Sequence, residues 1–134
     1  MLTQTVNYTD YNGIKRTEKL YFNLTQAELL EMELDSPNGL EKEIKAIIDR
    51  NDARAIVNKV KEFMLKAYGV KSDDGKRLIK NAEVRDAFVQ SEAYSKLFME
   101  LLTDDKKCAA FFSAIVPATA SASAQPMALS ATNG

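Results

Sequence analysis

The 134-residue sequence contains no histidine and a single cysteine, Cys108. Without histidine the chain lacks the commonest general base and the commonest metal ligand, and one thiol cannot complete a zinc site with the usual ligands. A single cysteine also excludes an internal disulfide, which is typical of a protein from a reducing compartment. The sequence therefore predicts a protein that is not an enzyme, with no cofactor, no metal and Cys108 as a core thiol.

Long apolar runs and an excess of one charge are also missing. The longest apolar run, residues 108–117, has about half the length needed to cross a bilayer, and no basic start followed by an apolar stretch marks an export signal. Eighteen basic and 19 acidic side chains leave a net charge of −1, spread along the chain unlike the basic footprint of a nucleic-acid binder. We therefore expect a soluble protein with neither nucleic acid nor membrane among its partners.

The first 22 residues predict a β-hairpin around Asn12-Gly13, the strongest turn signal in the sequence. A two-residue loop would divide the apolar residues of the two strands between opposite faces. A three-residue loop, residues 11–13, pairs Asp10 with Ile14 and puts Gly13 in the left-handed conformation. This register collects one apolar face: Leu2, Val6, Tyr8, Leu20 and Phe22. Because a lone hairpin is marginal in water, that face must pack on helices or pair with another strand, and the open edges leave room for self-association.

Residues 25–117 contain five to six amphipathic segments that predict helices. The central segment, residues 52–68, is the longest with a helical apolar period and no glycine or proline. The prediction is one α+β domain, predominantly α, over residues 1–117, in which a hairpin at residues 2–22 precedes a compact bundle of five to six helices at residues 25–117. Residues 118–134 have no charged or aromatic side chain, and we predict a disordered low-complexity tail.

Residues 70–80 predict a polar connector. Gly69 stands where a helix-ending glycine is expected, and Asp73-Asp74-Gly75 is a turn signature. The acidic pair resembles part of a calcium loop, but that pattern needs a glutamate where this sequence has Val84. The nearby cations lack the glycine-rich loop of a phosphate site. We therefore assign no ion-binding role to this segment.

Four apolar residues lie off the apolar stripes of their predicted helices: Leu29, Met32, Leu65 and Met99. In the first helix, the stripe that we assign to the core is Ala27, Leu30 and Leu34, which leaves two further apolar residues pointing elsewhere. Such residues are ordinary exposed side chains, pack on a second side of a small domain, or bind a partner. These four are the candidate partner-binding residues.

Several local strings occur in the order found in a known family. They are Tyr21-Phe22-Asn23-Leu24-Thr25 followed by Glu28-Leu29, then Tyr68-Gly69-Val70-Lys71-Ser72-Asp73-Asp74-Gly75-Lys76-Arg77, then Glu92-Ala93-Tyr94-Ser95 with Leu97-Phe98-Met99, and a last helix ending at Pro117. Over roughly residues 6–117 the chain resembles the tail assembly chaperones of long-tailed bacteriophages of Gram-positive hosts. Leu78 departs from this pattern, which would have an aromatic residue there.

This resemblance implies a factor that acts in the host cell cytoplasm and is absent from the mature virion. It would bind the tape measure protein and keep that long chain soluble while the tail tube polymerises around it. The resemblance also implies a longer form, made by a programmed ribosomal frameshift. The two products would diverge in the segment that begins at residue 118, and the extension of the longer form would contact the tail tube protein. The alternative is a structural virion component, such as a head–tail connector or tail completion protein, which the unpaired hairpin edges would suit.

Overall fold

The computed structural model describes residues 1–116, in which a small antiparallel sheet packs against helices. The strands are β1 (Leu2–Thr9), β2 (Lys15–Phe22), β3 (Tyr68–Lys71) and β4 (Leu78–Ile79). The helices are α1 (Gln26–Asp35), α2 (Leu40–Asp49), α3 (Ala53–Ala67), α4 (Ala82–Val89), α5 (Glu92–Thr103) and α6 (Asp105–Ile115). The predicted fold class, α+β and predominantly α, is confirmed, while the tail predicted at 118–134 lies outside the described residues.

The N-terminal hairpin has the predicted three-residue loop. Thr9 lies opposite Lys15, the amide of Asp10 donates to the carbonyl of Ile14 at 2.9 Å, and Gly13 has a φ of 78°. The Asp10 carboxylate fixes the turn by accepting hydrogen bonds from the amides of Asn12 and Ile14 and from the Arg16 side chain. All five residues assigned to the apolar face are buried or pack against the core. The register is therefore confirmed.

The turn predicted at Asp73-Asp74-Gly75 is present, with a φ of 74° at Gly75. The prediction of a polar connector around it is wrong, because residues 68–79 form a second hairpin. β3 pairs with β2 at Phe22 and Tyr68 and with β4 at Val70 and Ile79, which gives a sheet in the order β1-β2-β3-β4. Gly69 belongs to β3 and is not among the left-handed glycines. A Cβ at Gly69 would lie 2.5 Å from Leu78 Cγ, so glycine is needed there for the close approach of β4.

The core is centred on Phe22, whose side chain is 0% exposed. Its ring lies 5.6 Å from the ring of Tyr68, 5.9 Å from Phe88 and 5.1 Å from Phe111, measured between centroids. Tyr68 in turn stacks on Phe88 at 4.0 Å. These tilted and edge-to-face pairs join β2 to β3, α4 and α6, and each contributes about 0.5–1.5 kcal/mol beyond the area that it buries.

The two residues after Phe22 connect the sheet to two helix ends. The amide of Asn23 donates to the carbonyl of Ala67 at the end of α3, and the amide of Leu24 donates to Ile115 at the end of α6, both at 2.8 Å. Helix C-termini leave carbonyls without partners inside the helix, and buried ones must be satisfied elsewhere. The exit of β2 therefore serves as a shared cap for α3 and α6.

We predict that Phe22→Ala lowers the free energy of unfolding by about 3–5 kcal/mol, because a fully buried ring with three aromatic partners would leave a cavity. Chemical denaturation followed by circular dichroism measures the change. Tyr21→Ala is the matched control, since this neighbouring ring is half-buried and has the Lys71 ammonium 5.0 Å from its centroid. The control should lose no more than about 1.5 kcal/mol, and equal losses would contradict a core centred on Phe22.

Candidate partner-binding surface

The start of α1 is fixed to the junction after β2. The predicted capping box is present: the Glu28 amide donates to Thr25 Oγ1 at 3.1 Å, and the Thr25 amide donates to Glu28 Oε1 at 2.9 Å. Lys80 Nζ donates to both Glu28 oxygens, at 2.9 and 2.8 Å, and to the carbonyl of Asn23 at 2.7 Å. Burial works to raise the pKa of Glu28, but the hydrogen bonds and charge of Lys80, together with Thr25, outweigh it and lower that pKa.

The end of α1 is fixed to α2 by a second glutamate. Glu33 Oε1 accepts the amide of Leu40 at 2.8 Å, and so caps α2 where Gly39 has no side chain to do so. Gly39 has a φ of 90°, and a Cβ on it would lie 2.9 Å from the same Glu33 oxygen. Two of the four acidic residues of α1 are therefore occupied in positioning the helix.

With these anchors, the side of α1 that faces the core is the opposite of the one assigned from the sequence. At 100° per residue, Glu28, Leu29, Met32 and Glu33 share one arc of about 140°, and this arc faces the protein. Met32 is only 5% exposed within the core, and Leu29 packs against it. The stripe assigned to the core faces outward, with Leu30 41% and Leu34 75% exposed. The assignment was wrong because α1 has apolar residues on both sides, so periodicity alone cannot choose the buried one.

The other two candidates occupy different environments. Leu65 on α3 is half-buried and packs against the core, whereas Met99 on α5 is 52% exposed. The structure thus does not gather the four predicted residues into one surface, and it places Met32 out of a partner's reach. Cys108 is half-buried on α6, where burial and then the charge of Asp105 raise the pKa of its thiol, which disfavours the reactive thiolate.

The exposed side of α1 forms what we call the α1 ridge, defined as Ala27, Leu30, Glu31, Leu34 and Asp35, all exposed. The two leucines are one turn apart, and the two acidic residues are also one turn apart beside them. Neither side-chain carboxylate makes a hydrogen bond or ion pair with any other residue in 1–116. Sequence reasoning missed Leu30 and Leu34, because a capping box forms at a helix N-terminus whichever side of the helix is buried.

The free edge of β1 is a second exposed feature. β1 has eight residues, none of them charged, and only one of its edges pairs with β2. Uncharged edge strands are sites at which another strand can add. Part of this edge is occupied, since Lys96 Nζ on α5 donates to the carbonyl of Asn7. Lysine at an edge is a common protection against unwanted pairing.

Within the part of the chain that the structure describes, no cluster of three or more histidine, cysteine or acidic side chains could hold a metal ion. A shallow groove between α2 and α3 is lined by Lys42, Glu43, Ile47, Arg50 and Ala55 among others. None of the helices described is long and apolar enough to span a membrane.

Comparison with known proteins gave one family. A family model described as phage tail assembly chaperone matches residues 1–131, which is almost the whole chain. Neither the curated proteins nor the solved structures compared with the chain gave a match.

We predict that Glu28→Gln lowers the free energy of unfolding by about 1 kcal/mol at neutral pH, a modest value because the Lys80 pair is partly open to water. Since folding lowers the pKa of Glu28, its ionised form stabilises the protein above the ordinary value of 4.5, and this contribution is lost as the pH falls from there through the lowered pKa. Denaturation at pH 7 and pH 3 should therefore show a larger difference from the unmutated protein at pH 7 than at pH 3. Glu31→Gln, without a partner, is the control and should change stability little at pH 7.

Proposed function

The chain belongs to the phage tail assembly chaperone family, and we propose that it binds the tape measure protein and keeps that chain soluble during tail tube assembly. As a chaperone it takes part in phage tail assembly in the host cell. Its work is protein binding and requires no reaction. The observation that carries the proposal is the α1 ridge, where two leucines lie exposed on a helix that is fixed at both ends.

The α1 ridge is suited to hold an apolar partner segment. Covering a fully exposed leucine contributes about 1.5–3 kcal/mol, so Leu30 and Leu34, which are 41% and 75% exposed, supply part of the free energy that must offset the cost of association. Because Glu28 and Glu33 already hold α1 in place, binding does not have to order the helix, and less free energy is lost on association. Exposed Met99 on α5 is a separate contact in this proposal, while half-buried Leu29 and Leu65 pack against the core and Met32 supports α1 from inside.

The proposal extends to a longer form of the protein. We infer that a programmed frameshift near the end of the reading frame adds a segment after residue 118 that contacts the tail tube protein. The chaperone would then leave before the virion is complete. The expected products are two proteins from one gene, which mass spectrometry of infected cells would detect.

The double substitution Leu30→Asp and Leu34→Asp should send the co-expressed tape measure protein into the insoluble fraction, because charged side chains cannot cover its apolar segments. The measurement is the fraction of tape measure protein left in the supernatant after centrifugation. Ile48→Asp on α2 is the matched control, since Ile48 is 60% exposed but lies outside the ridge. An unchanged supernatant fraction for the double variant, with the variant itself folded, would contradict the proposal.

The uncharged edge of β1 favours the second candidate function, a structural virion component whose subunits associate by strand pairing. Mass spectrometry of purified particles separates the two candidates. A chaperone should be absent from particles in which known tail proteins are detected, whereas a connector or completion protein should be present in a fixed number of copies.

A further inference from the structure

The charges of the α1 ridge are not explained by the stability of the protein itself. Glu31 and Asp35 are one turn apart on the exposed side of α1, where two like charges repel each other. Asp35 is also the last residue of the helix, and a negative charge at a helix C-terminus opposes the helix dipole. Both placements cost the free protein some stability, and no basic residue in 1–116 pairs with either carboxylate.

The contrast with the other two acidic residues of α1 strengthens this point. Glu28 pairs with Lys80, and Glu33 caps α2 through the amide of Leu40. These two have structural roles on the side that faces the protein. The unpaired acidic residues instead follow one border of the exposed leucines, so that the α1 ridge has an apolar row and an acidic row side by side.

We propose that the α1 ridge binds an amphipathic helix of the partner, in which an apolar stripe is bordered by lysine or arginine residues one turn apart. This inference rests on the proposed function, because it specifies the segment that the ridge recognises. Leu30 and Leu34 pack against the apolar stripe, as helices that bind helices generally do. The basic row then lies against Glu31 and Asp35 and fixes the register of the complex.

A second copy of this chain does not fit the same surface. If two ridges faced each other, four unpaired carboxylates would be brought together around the leucines, and like charges across an interface oppose association. A nucleic acid is excluded by the same charges, since phosphates would meet Glu31 and Asp35. The charge of the ridge therefore requires a partner with basic side chains.

Asp35→Lys separates partner recognition from stability. In the free protein this change removes the acid from the helix end and places a cation one turn after Glu31, where the two charges attract, so the melting temperature should rise. Binding should nevertheless weaken about fivefold, because one attraction becomes a repulsion. Asp49→Lys is the matched control: Asp49 is exposed and is the last residue of α2, so the same charge change is made at another helix end.

The experiment uses fluorescently labelled peptides of about 20 residues, roughly 30 Å when helical, that tile the phage's own tape measure protein. Fluorescence anisotropy gives their affinities for the full chain and for each variant. We expect the tightest peptides to carry the basic amphipathic pattern, to gain helical circular dichroism on binding, and to weaken with added salt. Asp35→Lys should reduce their affinity about fivefold, with Asp49→Lys close to the unmutated protein.

The outcomes distinguish this inference from the proposed function. If Leu30→Asp with Leu34→Asp abolishes peptide binding while Asp35→Lys and Asp49→Lys bind alike, the inference is wrong and the proposed function stands. The inference would also be overturned if the peptides that bind most tightly lack a basic row, or if their affinity does not change with added salt. If no peptide binds the unmutated chain, both proposals are contradicted.

Discussion

Phe22 and the two residues after it hold the sheet and the helices in one arrangement. The ring of Phe22 contacts rings from β3, α4 and α6, while the next two amides donate to the last carbonyls of α3 and α6. Neither the hairpin nor the two helices can shift without losing aromatic contacts and leaving carbonyls unpaired, which costs several kcal/mol. Lys80 attaches α1 to the same place, because it binds the Asn23 carbonyl and Glu28 together.

The α1 helix combines a fixed position with an exposed surface that has no structural role. Its inner side holds Met32 in the core and Glu28 on Lys80, whereas its outer side carries leucines and carboxylates without partners. Stability and the recognition that we propose thus depend on different residues of one helix. Such a division would let the protein present apolar surface to another chain and still remain folded once that chain has left.

Much of the architecture followed from local sequence signals. The turn at Gly13 and the alternation of apolar and polar residues in the two long strands were sufficient to predict the hairpin register. Capping residues indicated where the helices begin. The second hairpin was missed because strands of four and two residues are too short to show a period. Gly69 was assigned to the end of α3 because a glycine after a helical segment commonly ends the helix. Its role in the structure is to leave room for Leu78, and that close approach cannot be read from the sequence.

The sequence by itself determined the helices, the first hairpin with its register and the lack of histidine chemistry, because these depend on composition or on residues a few positions apart. The tertiary structure alone decided which side of α1 is exposed. A ten-residue helix with leucines on opposite sides has no preferred buried side of its own. The choice is made by Lys80, which is 52 positions from Glu28 in the chain, and by Leu40, whose amide binds Glu33; contacts of that kind exist only after folding.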